Sequence, residues 1–163
     1  MDGGFLDLRS RAGATWESVA RELRPPDLKG VPREELARRI GEMHPQWTAE
    51  GIQATLANME VLPDQTVRPW LSLEHHLEIL HATWEQRPTQ LYPQVEEPVL
   101  ICAAEGPGHP SLDQKRQAVA AAQEGLPRCQ VVWFPATDHD IHVHRPRELA
   151  DLFLTSVREG IWS

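Results

Sequence analysis

Residues 98–104, Pro-Val-Leu-Ile-Cys-Ala-Ala, form an apolar run with no polar interruption. A strand of that composition is stable only when both faces are covered, so it demands a sheet with helices above and below. A second run follows one helix further on, Cys129-Gln-Val-Val-Trp-Phe134. Between them Gly106, Pro107, Gly108 and Pro110 make a loop, and Ser111-Leu-Asp-Gln114 reads as a capping box that opens a helix. Pro146 starts a last helix with Leu149, Leu152, Phe153 and Val157 facing inward. Strand, helix, strand, helix with short connections implies a parallel, right-handed βαβα unit in an α/β protein. Two strands are too few for an open sheet buried on both faces, so this part reads as the end of a larger one.

Before Pro93 the chain has a different character, and helix signals dominate. Trp16, Val19, Ala20 and Leu23 recur at helical spacing behind Thr15, a candidate N-cap, and Pro25-Pro26 closes the segment. Pro32 suits the first turn of a second helix, whose apolar face is Leu36, Ile40 and Met43 and whose Glu34 and Glu35 favour the positive end of the helix dipole. A third helix follows Thr48, with Ile52, Leu56 and Met59 on one side. A fourth begins near Ser72 and carries Leu73, Leu77, Leu80 and Trp84. Each has one apolar stripe and must bury it against a neighbour.

The charge balance narrows the partners. With 16 basic and 24 acidic residues the chain carries a formal charge of −8, which disfavours nucleic acid and anionic membranes. Its longest basic run is Arg38-Arg39, and no apolar stretch reaches the length of a membrane helix. The start, Met-Asp-Gly-Gly-Phe-Leu, has no signal-peptide pattern. Cys102 and Cys129 cannot make a disulfide scaffold and read as buried free thiols, which fits a cytoplasmic protein. No cofactor is expected.

The densest polar cluster lies just past the second strand: Thr137-Asp138-His139-Asp140-Ile141-His142-Val143-His144. In open α/β sheets ligands bind outside the carboxyl ends of the strands, where a histidine is well placed for proton transfer. Glu105 ends the first strand on the same edge.

Residues 98–104, Val131-Val-Trp-Phe-Pro-Ala-Thr-Asp-His139 and Pro146-Arg-Glu-Leu-Ala-Asp-Leu-Phe-Leu154 together resemble the C-terminal portion of the α/β-hydrolase family. Asp2-Gly-Gly-Phe-Leu resembles the end of that family's sixth strand. The resemblance implies that residues 1–8 end that strand and enter a lid, that 9–93 are an α-helical lid, and that 94–163 are the closing βαβα part of the core. It makes His139 the catalytic histidine, a general base acting on the nucleophile. Asp2 and Glu105 remain alternative triad acids, because family members differ in which strand supplies that group. Asp113 reads instead as a favourable charge at a helix N-terminus.

The departures from the family are as informative. None of the six serines, nor either cysteine, stands in a Gly-x-Ser-x-Gly setting, and the segments that precede the lid in the family have no counterpart. The chain therefore reads as a hydrolase fragment, inactive alone, whose parent would attack a small, fairly apolar ester, amide, epoxide or halide. Trp84, His81 and His142 are candidate substrate contacts, although aromatics at helical spacing also serve as core. His44 and His109 read as surface residues. Two other functions compete. A metal protein would draw N and O ligands from Asp138 to His144, although no second cluster completes the set. A non-catalytic interaction module would rest on the helical half. With little of a sixth strand present, Val99–Ala104 would expose an unblunted edge, and a homo-oligomer paired through it is expected.

Overall fold

The computed structural model describes residues 7–11, 13–106 and 112–160. In the first half, Thr15 caps α1 (Trp16–Glu22) reciprocally: its Oγ1 accepts from the Ser18 N–H at 3.2 Å, while its own N–H donates to Ser18 Oγ at 3.0 Å. Pro32 stands at the N-cap of α2 (Arg33–Met43), and Thr48 Oγ1 accepts from the Gly51 N–H at 3.2 Å to open α3 (Ala49–Leu56).

Here the structure departs from the helical expectation. Met59 does not continue the third helix but begins β1 (Met59–Val61), paired antiparallel with β2 (Val67–Pro69) in the register Met59–Pro69, Glu60–Arg68, Val61–Val67. The turn explains the switch. Asp64 Oδ1 accepts from both the N–H and the hydroxyl of Thr66, at 3.0 and 2.7 Å, and Gln65 takes the left-handed backbone (φ 65°) that a tight hairpin requires. The ion pair between Arg68 and Glu60 ties the strands across their face. Ser72 then caps α4 (Leu73–Glu85), and a short α5 (Pro88–Leu91) precedes the second half.

The second half follows the expected order of strands and helices, but of the four residues expected inward on the last helix only Leu149 and Leu152 pack on the core, while Phe153 and Val157 are exposed. β3 (Val99–Glu105) pairs in parallel with β4 (Cys129–Pro135), joined by α6 (Leu112–Gly125). Ile101 and Ala103 face α6 and pack with Val119, Ala122 and Leu126, whereas Cys102 and Ala104 pack on the opposite face with Phe134, Leu149 and Leu152. That opposite face is covered by α8 (Pro146–Arg158), so helices flank the sheet on both sides. Between β4 and α8 the histidine-rich stretch forms one helical turn, α7 (Ile141–His144), closed by Asp140 C=O accepting from the His144 N–H at 2.9 Å.

The two halves meet at α7. Val143 is buried in the same cluster as Leu36, Ile40, Trp47, Leu56 and Val67 of the first half. The approach of α3 is close: a Cβ on Gly51 would lie 2.9 Å from Val143 Cγ1.

Candidate active site

The chain leaves β4 through Ala136, whose φ of 50° is unusual for a residue with a side chain and turns the backbone back over the strand ends. Thr137 is buried, its hydroxyl donating to Pro135 C=O at 3.0 Å. The strained turn and this anchor place Asp138 and His139 at the carboxyl edge of the sheet. Glu105 shares that edge, since it lies opposite Pro135 in the register.

Asp138 is the organising residue. Its Oδ2 accepts from His44 Nδ1 at 3.0 Å and from Trp47 Nε1 at 3.1 Å, while its backbone N–H donates to His144 Nδ1 at 3.1 Å. These contacts assign the tautomers. His144 Nδ1 accepts, so its proton sits on Nε2; His44 Nδ1 faces a carboxylate and must carry a proton. His44 stacks on Trp47 with ring centroids 3.9 Å apart and planes 11° from parallel. A corner of the helical half, residues 44–47, is thereby hydrogen-bonded to the loop that carries His139. Sequence reasoning placed His44 on the surface. A partner 94 residues away leaves no local spacing by which to find it.

His139 itself is exposed at the tip of this loop, and His142 is exposed on α7. The carboxylate of Glu105 pairs with Arg116 of α6, and Lys115 Nζ donates to Ala104 C=O at 2.9 Å, so two cations stand at the end of β3. Asp2 lies outside the described residues. Asp113 is solvated, its side chain 91% exposed. On α4, Trp84 is buried with Leu8, Val19 and Leu80 under the Arg9 guanidinium, which lies 5.1 Å from its ring centroid. His81 packs edge-on against Trp16 at 4.7 Å. The tryptophans of the helical half do not share one pocket: Trp47 and Trp84 fill separate core clusters, and Trp70 is 67% exposed.

Other chemistries have less support. Burial pushes the Cys102 and Cys129 thiols up, so neither is a ready thiolate nucleophile at neutral pH. Among the described residues no group of three His, Cys, Asp or Glu side chains is arranged to hold a metal ion, and Asp138 to His144 do not converge as a ligand set. No described helix is long and apolar enough to cross a membrane.

No family model matches the chain, and no curated protein matches it in sequence. Among solved structures, it is similar to the crystal structure of E-2-(acetamidomethylene)succinate hydrolase, with a TM-score of 0.66 and 17% identity across 88% of this chain. The match takes in 52% of that chain, so this one spans about half its length. The likeness shows the fold: a mixed α/β arrangement with a parallel sheet flanked by helices, similar to an α/β-hydrolase fold.

Proposed function

We propose that this chain supplies the general base of an α/β-hydrolase-type site, with His139 taking the proton from a nucleophile that none of the 163 residues provides in an elbow motif. The observation that carries the reading is the exposed position of His139 on the loop beyond the carboxyl end of a parallel strand, just ahead of the helical turn α7 that leads into the proline-initiated α8. Its acid partner is Asp2 or Glu105. Glu105 would have to release Arg116 to reach the imidazole. The substrate class is a small, fairly apolar ester, amide, epoxide or halide. Residues 9–93 act as the lid over the site and 94–163 as core.

His142 is the best placed of the substrate contacts, one short turn beyond the base. For His81 and Trp84 the role requires that α4 border the pocket once the site is complete. The protein is cytoplasmic in this reading and uses no cofactor.

The same reading has the open edge of β3 recruit a second copy. Among the described residues β3 is hydrogen-bonded to a strand only on its β4 side. Light scattering at tens of micromolar should then return twice the 18.5 kDa of one chain; a stable monomer would remove this part of the proposal.

For the chemistry, the chain alone should turn over a p-nitrophenyl ester no faster than its His139→Ala variant. Turnover that depends on His139 in the isolated chain would contradict the account, because it would require a nucleophile within these residues.

A further inference from the structure

A groove of about 1140 Å³ runs along the helical half between residues 24–30, the β1–β2 hairpin and the start of α4, and no residue of the His139 loop lines it. Its volume lies slightly above the roughly 300–1,000 Å³ typical of small-molecule sites, so a small molecule fits with room to spare. The walls are fixed by hydrogen bonds: the Val67 N–H donates to Val31 C=O at 2.9 Å, the Trp70 N–H to Asn58 C=O at 3.1 Å, and the Lys29 N–H to Asp27 Oδ1 at 2.9 Å. His76 Nε2 donates to Leu23 C=O at 3.2 Å, holding α4 to the end of α1.

Two features of the groove are unsatisfied by the chain itself. The first is apolar. Trp70 is 67% exposed, and Leu71 and Leu73 beside it are 45% and 39% exposed, so an indole and two aliphatic side chains face water together. The second is electrostatic. Arg68 is occupied by Glu60, but Arg24 and Lys29 have no ion-pair partner among the described residues. Counting Asp27, the lining carries a net positive charge in a chain of net charge −8.

We propose that this groove binds an amphipathic anion, a carboxylate with an aliphatic tail. The head lies against Arg24 and Lys29, and the tail covers Trp70, Leu71 and Leu73. The requirement for both an apolar platform and unpaired cations excludes neutral and cationic amphiphiles as equal ligands. The site is separate from the His139 loop, so it stands or falls independently of the hydrolase reading.

The test is a titration of the full chain with sodium decanoate, followed by the indole N–H resonance of Trp70, which is identified by its loss in Trp70→Phe. A saturable shift is expected with a Kd on the order of 100 μM, given the modest binding energy per atom of flexible ligands. Arg24→Gln with Lys29→Gln should weaken binding by at least about tenfold, because it removes both charge-assisted contacts to the head. Trp70→Ala, at an exposed position, should weaken it by a similar factor as measured by calorimetry. Decyltrimethylammonium and decanol should bind at least tenfold more weakly than decanoate. The proposal is overturned by no saturable shift, by equal binding of the cationic or neutral probe, or by indifference to Trp70→Ala. It is also overturned if Trp70→Ala instead dissociates a dimer that decanoate does not affect, because the occupant is then a second copy of the chain.

Discussion

Asp138 shows how one side chain joins two halves of a chain that share no local sequence signal. Its Oδ2 serves two donors from residues 44–47, and its backbone N–H serves His144, whose side chain is only 6% exposed. Asp138→Ala would leave the His44 and Trp47 N–H groups without their acceptor in a half-buried place. We expect it to lower unfolding free energy in urea by about 1–3 kcal/mol, the cost of stranding such donors. Hydrogen exchange at residues 138–144 should accelerate with it. An unchanged stability would mean that water replaces the carboxylate at no cost. None of this was legible from the sequence, where His44, Trp47 and Asp138 each have an ordinary local explanation. The position of His139, past a strand and ahead of a proline-initiated helix, was legible because that order is a local pattern.

At the scale of elements, caps were readable, apolar stripes only in part, since Met43, Phe153 and Val157 are exposed, and short strands not at all. Thr15, Thr48 and Ser72 each cap the helix they announce. β1 and β2 have three residues each, too few for an alternating pattern to declare itself, and Met59 falls at helical spacing from Ile52 and Leu56 by coincidence. Helix packing offers a paired test. Gly51→Ala would gain up to about 1 kcal/mol of helix propensity. Its Cβ, however, would stand 2.9 Å from Val143 Cγ1 where α3 crosses α7. Overpacking of that kind costs about 1–3 kcal/mol, so the variant should be net destabilised. Gly41→Ala on α2 meets only Ile52 Cδ1, at 3.4 Å, and should be neutral or stabilising. Urea melts that rank the two in the opposite order would contradict the packing of α3 on α7.

The first turn of α2 supplies a pH signature. Hydrogen bonds from Arg38 and then Arg39 lower the Glu35 carboxyl from its ordinary 4.5 to about 2. A carboxyl depressed by folding stabilises the protein above its unfolded-state value and loses that contribution as pH falls through the folded one. Glu35→Gln should therefore melt at a lower temperature than the parent at neutral pH. The gap should close between pH 4.5 and about 2. A gap independent of pH would show that the ion pairs contribute nothing, as many exposed pairs do.

For the molecule as a whole, the alternation of strand and helix after residue 98 predicted the parallel pair with helices on both faces, because continuous apolar runs leave a chain few alternatives. How the helical half seats on that core was not predictable. It depends on Val143 entering the Leu36–Ile40–Trp47 cluster and on the Asp138 hydrogen bonds, both of them long-range. The outcome is a loop whose base is strained at Ala136, whose middle is held by the helical half, and whose tip presents His139. The proposal that His139 transfers protons rests on this placement.

The most direct test of that role is ester hydrolysis by the chain joined to a segment that supplies parallel strands and a Gly-x-Ser-x-Gly elbow, such as one encoded in frame ahead of Met1. The account predicts that the joined protein gains turnover and that His139→Ala then lowers kcat by about 10³-fold or more, as loss of a triad base does. Turnover that survives His139→Ala unchanged would contradict it.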